Sequence, residues 1–325
     1  MSGKKIVRYS ILTILIISLS VGAAFLIHRI RNGQDNNEAG LVFYNGRQYR
    51  YRDDIETFLI IGLDDRDAEE EDIQMLNELN RNSSQSDFLL LAVFDNTAET
   101  YTIIQINRDT MVQMREYDTQ GRLNGLVTKQ IALSHTYGTD EEESCGNTIF
   151  AVSRFLYDAQ IDNYITVTMD AVPVLNDLVG GIDVPVEDNF EGVDNTLAEG
   201  ETVHLEGEHA LIYIRARRDM ADDDTNEARM RRQHTYLSAL KNALTEAFRS
   251  NPFFAFTAYN AVSDYTYTSL HLYQIPFLAY KFANYDFEGL VTPEGVTTQG
   301  EDFSEFHADD NALRELIIST FYEPV

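Results

Sequence analysis

Thr57-Phe58-Leu59-Ile60-Ile61-Gly62-Leu63-Asp64-Asp65-Arg66 is the stretch on which the fold turns. Its apolar run, 58–61, is short, continuous and closed by Gly62, the pattern of a buried strand; over so few residues a buried helix segment reads the same. Two further apolar runs follow at 88–94 and 101–106, and only Asp95-Asn96-Thr97-Ala98-Glu99 separates them, a length that suits a hairpin. If the three strands run up, down and up as neighbours, one sheet edge receives the end of the first, the start of the second and the end of the third. That edge would collect Asp64, Asp65 and Arg66, then Asp87, then Arg108 and Asp109.

Downstream the pattern alternates. Helices are expected at 126–137, 147–157 and 171–179, and strands at 164–168 and 182–186, with Gly180-Gly181 ending the third helix. Segment 67–85 is acidic and reads as a loop or an exposed helix. Beyond 233 the apolar spacing predicts helices at 234–248 and 270–282 and a strand and turn at 286–299. A closing helix follows at 309–321, capped by Asp309 or Asp310. Mixed strands and helices in this order predict an α/β protein, an α/β/α layered domain with a central mixed β-sheet.

Ahead of that domain, 9–27 is a run of nineteen residues without a charge, enough for a transmembrane helix at about 1.5 Å per residue. Lys4, Lys5 and Arg8 precede it and favour a cytoplasmic N-terminus. The run exceeds the roughly 7–15 apolar residues of a cleaved signal peptide. The expected plan is a cytoplasmic tip at 1–8, the membrane helix at 9–27, a stalk at 28–56 with a possible hairpin at Asn45-Gly46, and an extracytoplasmic domain. No acidic residue precedes Asp35, so without Lys4, Lys5 and Arg8 the rest of the chain carries 22 basic against 53 acidic residues. Such a surface repels nucleic acid, which is excluded as an expected partner. The single cysteine, Cys145, leaves no intrachain disulfide, so the domain must rest on its own core.

Against this acidic background Arg215, Arg217, Arg218, Arg229, Arg231 and Arg232 fall within eighteen residues. A guanidinium fork binds phosphate oxygens bidentately and keeps its charge when partly buried, so converging arginines read as a diphosphate cradle. The other reading is a solvated surface on which they pair with Asp219, Asp222, Asp223, Asp224 and Glu227. Arg229, Arg232 and Gln233 share a face if their segment is helical. Arg215 pairs with Arg217 on a strand or with Arg218 on a helix. Magnesium takes one or two carboxylates plus phosphate oxygens, and Asp64 with Asp87 would supply the carboxylates, with Asp65 and Asp109 as further candidates. Short polar residues also flank strands simply because turns need them. No phosphate-loop glycine pattern, histidine ligand spacing or nucleophile elbow is present.

Across 57–233 these pieces, in their order, resemble the LytR-CpsA-Psr family of bacterial cell-envelope proteins. The resemblance is carried by Ile60-Ile61-Gly62-Leu63-Asp64-Asp65-Arg66, Ser86-Asp87, Asn107-Arg108-Asp109-Thr110 and Val179-Gly180-Gly181-Ile182-Asp183. It continues through His204-Leu205-Glu206-Gly207-Glu208-His209-Ala210-Leu211, Tyr213 with Arg215 and Arg217, and Arg229 with Arg232-Gln233. It implies a catalytic domain at 57–250, followed by a C-terminal extension at 251–325 packed on the core. The activity implied is transfer of a glycopolymer from a polyprenyl-diphosphate carrier to peptidoglycan at the outer face of the cytoplasmic membrane, with release of polyprenyl phosphate. Asp64 and Asp87 would hold Mg2+. Arg66, Arg108, Arg215, Arg217, Arg229, Arg232 and Gln233 would bind the diphosphate, with Arg108, Arg215, Arg217 and Asp109 as the catalytic set. The membrane lipid is a partner on this reading, and Ile131, Leu133, Ile149, Phe150, Phe155 and Leu156 are candidates for the polyprenyl groove; apolar helix residues are also ordinary core.

The sequence departs from the family in places. Asn107 stands where proline is common, Phe88 where threonine is usual, and Asn226 where an aspartate is expected three residues before Arg229. Two other functions remain open at this level. One is a magnesium-dependent hydrolase of lipid-linked diphosphates, and the other is a non-catalytic envelope or regulatory protein that binds them.

Overall fold

The computed structural model describes residues 41–64, 84–118, 120–216, 226–251, 253–300 and 303–325. The expected membrane helix at 9–27 lies outside them, as do Asp65, Arg66 and Arg217. Among the described residues no helix is long and apolar enough to cross a membrane.

The chain divides into two units. In the smaller one, β1 (Leu41–Tyr44) and β2 (Arg47–Tyr51) form a hairpin closed by Asn45 and Gly46 at φ 47° and 74°. Both central residues take positive φ, as the tight Asn-Gly turn requires. The third strand of this unit is the chain's own end.

The larger unit is built on a six-stranded mixed sheet. β3 (Ile55–Asp64), β4 (Gln85–Asp95) and β5 (Thr100–Ile106) are consecutive antiparallel neighbours, the up-down-up arrangement expected from the sequence. Asp95 closes the β4–β5 turn by accepting from the backbone N–H of Thr97 and Ala98. Both faces of these strands are apolar, as strands sandwiched between layers must be. Leu59, Ile61, Leu89, Leu91 and Ile104 are fully buried on one face and Phe58, Leu90, Ala92, Phe94 and Tyr101 are buried on the other. Each fully buried Leu or Ile side chain contributes about 1.5–3 kcal/mol relative to exposure.

After β5 the chain makes a hairpin that the sequence did not announce, β6 (Met111–Tyr117) with β7 (Leu123–Gln130). The helix expected at 126–137 is therefore half strand, continuing into a short 3-10 helix, Ile131–Tyr137. Leu123 and Leu126 are exposed, so their apolar character reflects neither a helix nor a core. Next comes α1 (Glu141–Phe155), opened by Asp140, whose carboxylate accepts from Glu143 N at 2.9 Å. β8 (Asn163–Thr168) then lies parallel to β3, and α2 (Ala171–Leu178) follows.

β9 (Ile182–Pro185) and β10 (Thr202–Leu205) form a small ribbon. α3 (Glu208–Arg215) settles Arg215 as helical, and α4 (Asn226–Ser250) is one continuous helix. Met169, Val184, Phe190, Leu205, Leu211, Tyr213, Tyr236 and Leu240 join in one apolar cluster, on which Phe88 packs from the sheet.

The region beyond 250 does more than pack on the core. After α5 (Phe254–Val262), β11 (Thr266–Thr268) pairs with β8; after α6 (Ile275–Asn284), β12 (Asp286–Val291) pairs parallel with β5. Both edges of the central sheet, ordered β11-β8-β3-β4-β5-β12, come from this segment. The hairpin of β13 (Gly295–Gln299) and β14 (Ser304–Ala308) is followed by α7 (Asp310–Phe321), where Asp309 accepts from Asn311 and Ala312 N as the expected cap. β15 (Tyr322–Pro324) ends the chain antiparallel to β2, within the smaller unit.

Candidate functional site

The geometry of the site begins with a β-bulge. Gly62 pairs with Phe88 but Leu63 pairs with Ser86, so Asp87 is the extra residue on β4. Bulges re-aim side chains beside functional sites, and here the displaced side chain is an aspartate next to the end of β3, where Asp64 sits. The close pairing also explains Gly62: a Cβ there would stand 2.7 Å from Phe88 Cβ.

Three arginines from three elements reach this edge. From the turn after β5, Arg108 donates through Nη1 to Asp87 Oδ2 at 2.8 Å and through Nη2 to Gln85 Oε1 at 2.7 Å. At the end of α3, Arg215 embraces Asp64 bidentately, Nε to Oδ2 at 2.8 Å and Nη2 to Oδ1 at 3.0 Å. From the first turns of α4, Arg229 Nη1 lies 3.7 Å from Asp87 Oδ2. Both carboxylates and Arg229 are only about a tenth exposed, so these charges interact with little solvent screening.

The Arg108 turn is held from behind. Asn107 Oδ1 accepts from Asp109 N at 2.9 Å, and Thr110 N donates to Asn107 O at 3.1 Å. An asparagine side chain accepting from the backbone two residues on closes its own turn. Asp109 faces inward: it accepts from Gln130 Nε2 at 2.9 Å and lies 3.6 Å from Arg108 Nε, so it positions Arg108. Gln130 Nε2 also reaches Ser304 O at 2.8 Å, and Phe306 N donates to Asp109 O at 2.9 Å, so the β13–β14 hairpin braces the same turn. Gln85, Gln130 and this hairpin were not anticipated, since uncharged amides and a distant hairpin carry no local signal of a site.

Arg232 is placed differently from the expectation. It is 2% exposed, and its guanidinium donates to Tyr213 O at 3.1 Å, to Ala216 O, and to Asp188 Oδ2 at 2.6 Å. It thus neutralises the carbonyl end of α3, a helix terminus that favours a cation. Arg231, half exposed, is 3.5 Å from the same Asp188. Gln233 is buried on α4 beside Arg232. Tyr213 donates its hydroxyl to Pro185 O at 2.9 Å, and burial pushes that hydroxyl up to about 12. Lys129 bonds Tyr137 Oη at 2.7 Å and Glu116 at 3.2 Å; burial pulls its pKa down, but the two partners outweigh burial and leave it raised.

The residues expected to line a lipid groove divide. Ile131, Phe155 and Leu156 are buried core, whereas Leu133, Ile149 and Phe150 are partly exposed, with Arg115 stacked 4.4 Å over the Phe150 ring. The opposite sheet face differs. Ile60, Ile103 and Ile165 stand on β3, β5 and β8 beneath Leu270, Leu278 and Phe282, yet all three remain partly exposed. On the same face Gln105 is 2% exposed, and its Nε2 has no hydrogen-bond partner among the described residues.

Comparison with known proteins sets this arrangement in context. Over 170 residues the chain is 34% identical to "Polyisoprenyl-teichoic acid--peptidoglycan teichoic acid transferase TagV" of Bacillus subtilis (strain 168), covering 50% of this chain and 40% of that protein. It is 26% identical over 177 residues to a TagU protein of the same descriptive name from Halalkalibacterium halodurans, covering 54% of this chain and 50% of the relative. The match therefore spans half or less of each of those relatives. The crystal structure of Bacillus subtilis TagV superposes with a TM-score of 0.61 over 82% of this chain and 95% of that one, at 23% identity, which speaks for the fold. The model of the LytR_cpsA_psr family matches residues 29–302, most of the sequence, and the chain belongs to the LytR-CpsA-Psr family.

Proposed function

We propose that this protein transfers a glycopolymer from a polyprenyl-diphosphate carrier to peptidoglycan. The observation that carries the reading is the convergence of Arg108, Arg215 and Arg229 on Asp64 and Asp87 at one sheet edge. The names of the TagV and TagU relatives point the same way. In the transfer, a peptidoglycan hydroxyl attacks the polymer-side phosphorus. A new O–P bond forms as the hydroxyl gives up its proton to solvent, the P–O bond of the diphosphate bridge breaks, and polyprenyl phosphate leaves. Negative charge grows on that leaving phosphate, and preorganised guanidinium donors are the groups that stabilise it. In this reading Arg108 and Arg215 exchange their carboxylate partners for phosphate oxygens, and a magnesium ion on Asp64 and Asp87 would take over the pairing of the two carboxylates. Gln105 offers a further buried donor on the groove face.

Asp64 and Asp87 supply hard carboxylate oxygens on adjacent strands, the donor type that magnesium takes alongside phosphate oxygens. Magnesium held there would neutralise part of the diphosphate charge. The partly exposed strip of Ile60, Ile103 and Ile165 under α6 is the seat for the polyprenyl chain, in place of the buried core around Ile131.

The proposed location is the outer face of the cytoplasmic membrane, with 9–27 as a single transmembrane anchor. A second contact with the bilayer supports this. Stretch 251–284 contains one acidic residue, Asp264, in a chain where about one residue in six is acidic, and it holds ten of the chain's Phe and Tyr residues. Phe253, just before α5, and Phe256, Leu272, Tyr273, Phe277 and Tyr280, on α5, α6 and the loop between them, are each more than half exposed. Aromatic residues without carboxylates suit the headgroup region of a bilayer, and the acidic remainder does not.

The test uses the full chain in detergent with a short polyprenyl-diphosphate-linked saccharide labelled in the sugar, plus purified peptidoglycan. Label appearing on peptidoglycan, together with polyprenyl phosphate, supports transfer. Free labelled saccharide phosphate alone means hydrolysis, and unchanged substrate overturns both.

A further inference from the structure

Away from the diphosphate edge, three side chains of metal-ligating type meet behind the sheet. His135, at the end of the 3-10 helix Ile131–Tyr137, is completely buried. Its Nδ1 lies 3.2 Å from Ser84 O; a carbonyl can only accept, so Nδ1 carries the proton, and in the neutral imidazole Nε2 then presents its lone pair. That Nε2 is buried with no hydrogen-bond partner among the described residues, and Glu141 Oε1 stands 3.5 Å from it. Glu141 and Cys145 are one helical turn apart at the start of α1, hence on one face. The ligating atoms of His135, Glu141 and Cys145 all lie within 4.8 Å of one another.

We propose that His135 Nε2, Cys145 Sγ and a Glu141 carboxylate oxygen form a binding site for one divalent transition-metal ion of the zinc class. Imidazole, thiolate and carboxylate together are zinc-type donors, and three protein ligands leave a fourth position for water. Donors on one tetrahedral zinc stand roughly 3.3–3.8 Å apart, given bonds of about 2.0–2.3 Å, so closure takes a movement on the order of 1 Å. Glu141, about a third exposed at its side chain, is the ligand placed to make it. The Nδ1 bond to Ser84 O is the outer-shell contact that orients a metal-binding imidazole and sets its tautomer. A buried imidazole lone pair facing a carboxylate oxygen is otherwise an unfavourable meeting, which a cation between them relieves.

Such an ion would act at a distance from the transfer chemistry. The 3-10 helix that ends near His135 begins behind the site: Ala132 N donates to Arg108 O at 3.1 Å, and Ser86 Oγ donates to Ala132 O at 3.1 Å. The metal would tie α1 to the segment that backs Arg108 and the Asp87 bulge, a structural role. It is independent of the proposed transferase reading.

Cobalt(II) tests the site, with the full chain purified in detergent after chelation. Only one cysteine is present, so any thiolate-to-cobalt charge-transfer band in the near ultraviolet must come from Cys145. The expected result is that band with the visible bands of tetrahedral cobalt, saturating at one equivalent and bleached by zinc. Cys145→Ser should remove the ultraviolet band. Glu141→Gln, at a partly exposed position that should not disturb folding, should weaken cobalt binding by about tenfold or more. Magnesium at Asp64 and Asp87 has only oxygen donors and would give no such band. A folded wild-type protein without the thiolate band at excess cobalt would overturn the site. A band that survives Cys145→Ser would overturn it equally.

Discussion

Arg215 and Asp64, 151 positions apart in the chain, are joined by two parallel hydrogen bonds of 2.8 and 3.0 Å, one from Nε and one from Nη2. The fork geometry makes Arg215 a ready-made partner for a group with two oxygens on one centre, here the Asp64 carboxylate.

That relationship separates two substitutions. Arg215→Ala removes a donor aimed at developing charge and should lower kcat by about 10²–10³-fold. Arg215→Lys keeps the charge without the fork and should recover only part of the loss. Initial rates of polyprenyl phosphate release, with thermal melting as a control, provide the check. Equal activity in all three proteins would remove Arg215 from the chemistry.

Arg232 and Arg229, neighbours on α4, should behave oppositely. Arg232→Ala strips the α3 terminus of its cation and leaves Asp188 facing only the half-exposed Arg231, so stability should fall by about 3–5 kcal/mol. Arg229→Ala should cost more activity than stability, because Arg229 reaches into the site, 3.7 Å from Asp87 Oδ2. Urea denaturation midpoints and transfer rates measured on both variants give the comparison.

Gly62→Ala should destabilise the protein by about 1–3 kcal/mol, since the added methyl meets Phe88 Cβ at 2.7 Å in a packed sheet. A melting temperature equal to wild type would show that the β3–β4 pairing relaxes without cost. The bulge that places Asp87 would then be less constrained than its register implies.

The bilayer contact can be read by fluorescence, because the chain contains no tryptophan. Phe256→Trp or Phe277→Trp introduces a single reporter on α5 or α6. In nanodiscs with brominated lipid the emission should be quenched, and Val296→Trp, on the exposed strand β13, should not be. Absence of quenching at both helix positions would refute the proposed contact.

His204 carries a pH signature. Its Nδ1 donates to Asp183 Oδ1 at 2.7 Å, and that hydrogen bond holds its pKa above the ordinary 6.5 against the opposing effect of desolvation. A raised folded-state pKa means that the stabilisation is complete below the unfolded value and is lost as pH rises through the folded one. The β9–β10 ribbon should therefore loosen on the alkaline side. An NMR titration should place His204 above 6.5, with Asp183→Asn returning it toward that value.

What the sequence alone determined was local and short-ranged. The five-residue link between the second and third apolar runs pointed to a hairpin, and placing the first run beside them, which brings Asp64, Asp87 and Arg108 to one edge, was an assumption that the strand pairing bears out. The arginine density around α3 and α4 marked the region without choosing between an anionic ligand and an ion-paired surface, and Asp309 announced the start of α7. Tertiary structure decided the rest. Strand 123–130 resembles a helix until β6 offers it a partner, since hydrophobic pattern alone does not choose between pairing and coiling. Arg232 differs from Arg229 only in which way α4 turns it, and the carbonyl end of α3 claims it. β11 and β12 reach the two sheet edges by contacts spanning more than a hundred residues, which no window of sequence contains. Ile131 and Ile60 are both apolar, but one lies in a filled layer and the other on a partly open one. That difference is a property of how the layers pack, and no single residue carries it.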